Sequence, residues 1–266
     1  VHDPAEDDGM LLAIDVGNTH TVLGLFEGEE LLRHWRIATE SRRTADELAL
    51  LLRGLLDGSP TVTAVSVCST VPAVLRQVRE MTEEWYADVP TVIVEPGIKT
   101  GVPVLYDNPR EVGADRIVNA LAAFTVYGGP AIVVDFGTST NFDVVSVNGE
   151  FLGGVLAPGI EISVDALAAR AAQLSKVELV KPKHVIGKNT VASLQSGIIN
   201  GFAGQVDRIV ELITGELGGP TADGRPTVIA TGGLAPLIVG ESRCITVHDP
   251  WLTLTGLRLI HERNQV

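Results

Sequence analysis

Asp15, followed by Gly17, Asn18 and Thr19, and Asp135, followed by Gly137, Thr138 and Ser139, set out one arrangement at two places in the chain. Each is entered by one apolar run and left by another, the pattern of a hairpin whose turn carries the polar groups. A carboxylate orients a divalent cation, a glycine lets backbone close on a ligand, and the neighbouring hydroxyl and amide groups add hydrogen-bond partners. One such turn is ordinary turn chemistry; two in matching contexts are suited to clamping a metal-bound triphosphate from both sides. A third element, Ala230-Thr231-Gly232-Gly233, ends an apolar strand and opens a helix. There, paired glycines let a nucleoside or phosphate lie against bare backbone at a helix N-terminus.

Between the two turns, residues 106–116 bring together Tyr106, Asp107, Asn108, Pro109, Arg110 and Glu111 with Gly113-Ala114-Asp115-Arg116. Asn108 as cap and Pro109 at the first helical position explain the start of the segment as the opening of a helix. Gly113 to Arg116 is different in kind. A glycine that permits close approach stands beside an acid and a base able to engage a hydroxyl and a carboxylate.

Positioning these groups takes two sheets. Residues 11–16, 21–26 and 31–38 read as consecutive strands, and Thr44 with Glu47 forms a capping box before a helix carrying Leu48, Leu51, Leu52 and Leu55 on one face. Residues 63–68 read as a strand, Pro72 opens a helix with Val74, Val78, Met81 and Trp85 on one face, residues 91–95 form a strand, and a helix covers 116–127. The second half repeats this order with strands at 131–135, 141–147, 150–156 and 227–230, a helix after Gly233, a short strand near Ile245 and a final helix from Leu252. A helix from Thr190 to about Glu216 is the main asymmetry. The expected class is α/β, a tandem duplication with the domains at 10–128 and 129–266 and the boundary at Gly128-Gly129-Pro130. Residues 1–9 read as a disordered extension or cloning remnant.

A formal net charge of -13 argues against a nucleic-acid or anionic-membrane surface. Without a long apolar run or a signal-peptide pattern, the expected compartment is the cytoplasm. Cys68 and Cys244 are far apart in sequence and lack ligand spacing, so they read as buried, reduced thiols; His34, His184, His248 and His261 show no metal spacing either. Neither Gly-x-x-x-x-Gly-Lys-Ser/Thr nor Gly-x-Gly-x-x-Gly occurs, which removes the P-loop and Rossmann readings.

The two Asp-x-Gly turns and the Thr-Gly-Gly turn, in this order on a duplicated plan, resemble the actin-like ATPase superfamily of acetate and sugar kinases. That likeness implies duplicated ribonuclease-H-like domains, each a mixed five-stranded sheet with flanking helices. Asp15-Val16-Gly17-Asn18-Thr19, Tyr106-x-x-Pro109, Gly113 to Arg116, Asp135 to Thr140, Pro158-Gly159 and Thr231 to Gly233 together resemble type III pantothenate kinase over residues 11–261. Asn141 stands where the commonest family pattern has Thr.

The resemblance implies ATP-dependent phosphorylation of pantothenate, the first step of coenzyme A synthesis. It implies ATP contacts at Asp15, Val16, Gly17, Asn18, Thr19, His20, Thr21, Val22, Thr138, Gly232 and Gly233, with Asp15 also orienting Mg²⁺. Asp135 would sit at a monovalent cation, K⁺ or NH₄⁺, and Asp115 would act as the base on the pantothenate hydroxyl. Gly113, Ala114 and Arg116 would contact substrate, Tyr106 would line its pocket, and Thr190 would reach it across a homodimer interface. Thr190 also reads as a helix N-cap. The helix that follows supports a homodimer, because Val191, Leu194, Ile198, Ile199, Phe202, Val206 and Ile209 cover more than one face and Gly197, Gly201 and Gly204 leave a notch. A kinase of another small hydroxy acid and a non-catalytic nucleotide-binding regulator remain the alternative expectations.

Overall fold

The computed structural model describes residues 9–170, 177–219 and 225–265. Residues 1–8, most of the expected extension, lie outside the described residues. The chain divides into two compact units, one built from the residues up to Gly101, Arg110–Ala122 and those from Thr253 onward, the other from Val102–Pro109 and Ala123–Leu252.

In the first unit, β1 (Met10–Val16), β2 (His20–Glu27), β3 (Glu30–Ala38), α1 (Ala45–Leu55), β4 (Val62–Ser69), α2 (Pro72–Trp85) and β5 (Thr91–Ile93) follow in order. The sheet runs β3-β2-β1-β4-β5. The β1–β2 and β2–β3 pairs are antiparallel, and the β1–β4 and β4–β5 pairs parallel. Period-two alternation sends Met10, Leu12, Ile14 and Val16 to one face, where they join Val65 and Val67 and pack with Leu48 and Leu52 of α1 and Val74, Val78 and Met81 of α2. The capping box forms as expected: Thr44 N donates to Glu47 Oε2 at 2.8 Å, and Glu47 N to Thr44 Oγ1 at 3.3 Å.

The other face of this sheet carries Asp15, and it corrects the expected domain boundary. The final helix, α7 (Leu252–Asn264), was expected to complete the second domain; all of it after Leu252 belongs to the first unit. The physical reason is coverage. Parallel strands bury both faces, and α1 and α2 both pack on the Met10–Val16 core face. On the opposite face, Ser66 Oγ donates to the Leu257 carbonyl at 2.9 Å, and Leu254 lies so close over Gly24 that an added Cβ would come within 2.8 Å of its Cδ1.

A single 3₁₀ turn, Pro109–Glu111, precedes α3 (Ala114–Tyr127). Asn108 and Pro109 therefore open that short turn and not the long helix, which starts instead after Gly113. Gly256 of α7 packs where its missing side chain is essential, since a Cβ there would fall 2.3 Å from the Val118 carbonyl oxygen.

The second unit contains β6 (Ala131–Phe136), β7 (Ser139–Val145), β8 (Phe151–Pro158), α4 (Ile160–Arg170), α5 (Thr190–Glu216), β9 (Thr227–Thr231), α6 (Ala235–Ile238) and β10 (Val247–His248). Its sheet, β10-β9-β6-β7-β8, has the order of the first sheet read from the other edge, with antiparallel β6–β7 and β7–β8 and parallel β6–β9. Ile132, Val134, Phe136 and Phe142 pack against Ile199, Ala203, Val206 and Val210 of α5. The helix after Gly233 is only one turn long, and the edge strand falls at Val247–His248, two residues beyond Ile245. Thr246 delays the strand: both its backbone and its hydroxyl bond to Val228 first. Among the described residues, no helix is long and apolar enough to cross a membrane.

Candidate active site

The first Asp-x-Gly turn lies where β1 passes into β2. Gly17 N donates to the His20 carbonyl at 3.1 Å and closes the turn, leaving Asn18, Thr19 and His20 exposed. Thr21 is buried; its hydroxyl lies 2.9 Å from that of Thr39, and Thr39 N donates to the Thr19 carbonyl at 3.0 Å. Val16 is buried in the core, so it can offer a ligand only backbone, whereas Val22 is partly buried on the sheet face that carries Asp15.

Asp115 enters the same unit from the first turn of α3. Its Oδ1 accepts from Arg116 N at 2.9 Å, and Arg116 is itself buried. Gly113 is required by this geometry, because a Cβ at that position would stand 2.5 Å from Asp115 Oδ1. Burial, and then the negative charge of Asp115, push the Asp15 carboxyl up from 3.8 to about 7, against a lowering hydrogen bond from Cys68. Burial also raises Asp115, opposed by its backbone hydrogen bond and the charge of Arg116. Two interacting carboxylates are thus held where ionisation of both is unfavourable without a cation.

That environment fits a hard divalent ion such as Mg²⁺. Among the described residues no group of three or more His, Cys, Asp or Glu side chains could hold a metal. Mg²⁺ commonly takes one or two carboxylates and fills its remaining positions with water and phosphate oxygens.

In the second unit, Asp135 is partly buried and Thr138 exposed, like Asp15 and Asn18 of the first turn, whereas Gly137 is exposed where Gly17 is partly buried. Gly137 N donates to the Ser139 carbonyl at 3.0 Å and Gly159 N to the Thr138 carbonyl at 3.2 Å. A Cβ on Gly159 would meet that carbonyl oxygen at 2.3 Å, so Pro158-Gly159 backs the second turn directly. Asn141 accepts from Ser139 Oγ at 2.7 Å, which gives the amide at this position a local role.

The Thr231-Gly232-Gly233 turn closes on the same acid. Gly232 has φ +90, and its missing Cβ would lie 2.5 Å from Asp135 Oδ1 and 2.7 Å from the Phe136 backbone nitrogen and oxygen. A carboxylate in a cradle that only glycine can complete fits a cation that takes oxygen ligands.

Tyr106 packs on β8, its ring centroid 6.3 Å from that of Phe151, while Leu105 N donates to the Phe151 carbonyl at 2.8 Å. Thr190 is the first residue of α5 and exposed; the N-cap is Asn189, whose Oδ1 accepts from Ala192 N at 2.8 Å. The capping role expected of Thr190 therefore belongs to its neighbour. Sequence reasoning takes Cys68 only as a buried thiol and misses its place at the site: it is paired with Asp15 across the β1–β4 ladder and donates to its Oδ1 at 3.2 Å. Its position at the end of an apolar strand was visible, but the strand register that brings it to Asp15 was not.

The sequence model of the type III pantothenate kinase family matches residues 11–212. The chain belongs to the type III pantothenate kinase family. A type III pantothenate kinase of Acidothermus cellulolyticus is 69% identical over 261 residues, covering 96% of this chain and 99% of that protein. One from Streptomyces griseus is 62% identical over 263 residues, covering 96% and 98%. The fold is also that of a ROK family glucokinase from Streptomyces griseus, solved in complex with glucose and AMPPNP; its TM-score is 0.53 at 13% identity, covering 96% of this chain and 100% of that one. Two mixed five-stranded sheets with this strand order and these neighbours make the architecture a duplicated ribonuclease-H-like fold.

Proposed function

We propose that this chain transfers the γ-phosphoryl group of ATP to the hydroxyl of pantothenate, giving 4'-phosphopantothenate, the first step of coenzyme A biosynthesis. The observation that carries the reading is the pairing, in a member of this family, of Asp15 on a phosphate turn with Asp115 beside Gly113 and buried Arg116. Phosphoryl transfer asks little covalent chemistry of a protein, so alignment and charge placement are what these residues must supply. The exposed residues Asn18 to His20 of this turn cradle the phosphates with backbone amides, and Asp15 would orient Mg²⁺, which when bound would supply charge neutralisation at the transferred group. Arg116 holds the pantothenate carboxylate. Asp115, whose carboxyl burial makes more basic, takes the hydroxyl proton as the new bond forms. An assay of ADP formation across a panel of small hydroxy acids tests acceptor choice: pantothenate should support turnover, and a different acid used in its place would overturn the assignment.

Thr138 and the Gly232-Gly233 turn complete ATP binding in this reading, and Asp135 holds K⁺ or NH₄⁺. Turnover in tetramethylammonium buffer should rise sharply when K⁺ is added; equal rates with and without it would remove the cation from Asp135.

The working form in this reading is a homodimer in which Thr190 closes the pantothenate site of the neighbouring chain. Supporting it, a groove lined by Val164, Leu167, Gly197, Ile198 and Gly201 runs between α4 and α5, and Ile162, Leu167 and Val191 are exposed nearby. Among the described residues, and leaving aside the helix's own backbone, nothing lies within 4 Å of a Cβ added at Gly197 or Gly201, which leaves room for close helix approach. Subunits carrying Asp115→Asn and subunits carrying Thr190→Arg should each be inactive alone and regain activity after exchange, because one intact site forms in the mixed dimer. No recovery after verified exchange would place Thr190 at its own chain's site.

A further inference from the structure

Cys68 has no solvent exposure, and its thiol donates to Asp15 Oδ1 at 3.2 Å. The contact is built into the sheet. Asp15 and Cys68 are direct partners in the parallel β1–β4 ladder, so their side chains leave the same face of neighbouring strands. The backbone just beyond Cys68 braces the same turn: Thr70 N donates to the Val16 carbonyl at 3.1 Å. Ser69 Oγ accepts from Val71 N at 3.0 Å and donates to the Val71 carbonyl at 3.2 Å, fixing the chain as it leaves β4. The acid of the first phosphate turn is thus held at its side chain by Cys68, and the strand entering the turn is held at its backbone by Thr70. A carboxylate with one oxygen engaged by an immobile donor loses rotational freedom and presents its other oxygen in one direction.

We infer that Cys68 is a positioning residue for phosphoryl transfer, its S–H holding Oδ1 of Asp15 so that Oδ2 is aimed at the metal-bound phosphate. This rests on the reading of Asp15 as the Mg²⁺-orienting carboxylate. The strand end at β4 then has a chemical requirement besides an apolar one: a small side chain that donates one hydrogen bond. Serine meets it and alanine does not.

The test uses full-length protein carrying Cys244→Ser, which leaves Cys68 as the single thiol. In Mg²⁺-free protein, the Raman S–H stretching band should lie at a hydrogen-bonded position and move toward the free-thiol position in Asp15→Ala. In kinetics, Cys68→Ala should raise the half-saturating Mg²⁺ concentration roughly three- to tenfold, the range expected for one net hydrogen bond. Cys68→Ser should return it to within about twofold of the starting value, the remainder reflecting a different donor on the same bond. Melting temperatures of both variants separate this from a packing defect, which would lower stability without moving the Mg²⁺ requirement. An S–H band indifferent to Asp15, or an alanine variant with an unchanged Mg²⁺ requirement, overturns the inference; should the alanine variant not fold, the band decides alone. If Asp15→Asn leaves the Mg²⁺ requirement unchanged while the band still reports the hydrogen bond, the metal role of Asp15 fails and the inference falls with it.

Discussion

Asp115→Asn should lower turnover by roughly 10²- to 10⁴-fold, the usual contribution of a positioned general base, while ATP binding stays close to wild type. The substitution preserves shape. An asparagine oxygen can still accept from Arg116 N, and the clearance over Gly113 is unchanged. What disappears is the proton acceptor. The variant also removes the negative charge that helps raise Asp15, so metal binding at the first turn has no electrostatic reason to weaken. Steady-state turnover with calorimetric ATP binding separates the two quantities. Retention of more than about half of wild-type turnover, where that range predicts at least a hundredfold loss, would remove Asp115 from the chemistry.

Gly232→Val should destabilise the fold by about 3 kcal/mol or more, through overpacking and a side chain forced into a left-handed conformation. Its Cβ would meet Asp135 Oδ1 at 2.5 Å and the Phe136 backbone nitrogen and oxygen at 2.7 Å, at φ +90. The Asp135 side chain has some freedom to turn away; Phe136 is fixed within β6 and cannot. ATP affinity should fall with stability, since the turn is held against the acid it serves. Gly54→Ala is the contrasting control: Gly54 lies inside α1 and, among the described residues, nothing comes within 4 Å of the added Cβ, so replacing it should stabilise by about 0.5–1 kcal/mol. Chemical denaturation of both variants checks the pair, and a Gly232→Val protein as stable as wild type would contradict the packing described for this turn.

Local chemistry made much of the fold legible. The Thr44 and Glu47 box, the Pro72 helix start and the long helix from Thr190 to Glu216 all stand where side-chain types and spacing place them. Placement across the chain was harder to read. Sequence order assigns α7 to the second domain, whereas the uncovered face of the β1–β4 sheet draws it into the first unit. Asn108-Pro109 carries the usual signature of a helix start, but the chain spends it on one 3₁₀ turn.

The candidate site shows the same division. Residue types mark Asp15 and Gly113 to Arg116 separately, yet nothing local brings Asp15 within electrostatic reach of an acid far along the chain. Cys68 reads as one more buried thiol until strand register sets it opposite Asp15. Pantothenate itself came from family resemblance and not from spacing, because the turns specify a phosphate donor more closely than an acceptor.

The most direct test of phosphoryl transfer to pantothenate is to incubate the purified protein with pantothenate, Mg²⁺, K⁺ and ATP labelled in its γ-phosphoryl group, and follow the label by mass spectrometry. The label should appear in 4'-phosphopantothenate, one equivalent for each ADP formed, and its transfer should depend on Asp115. ATP bound or hydrolysed with no label reaching pantothenate would contradict the assignment and leave a nucleotide-binding protein that does not phosphorylate this substrate.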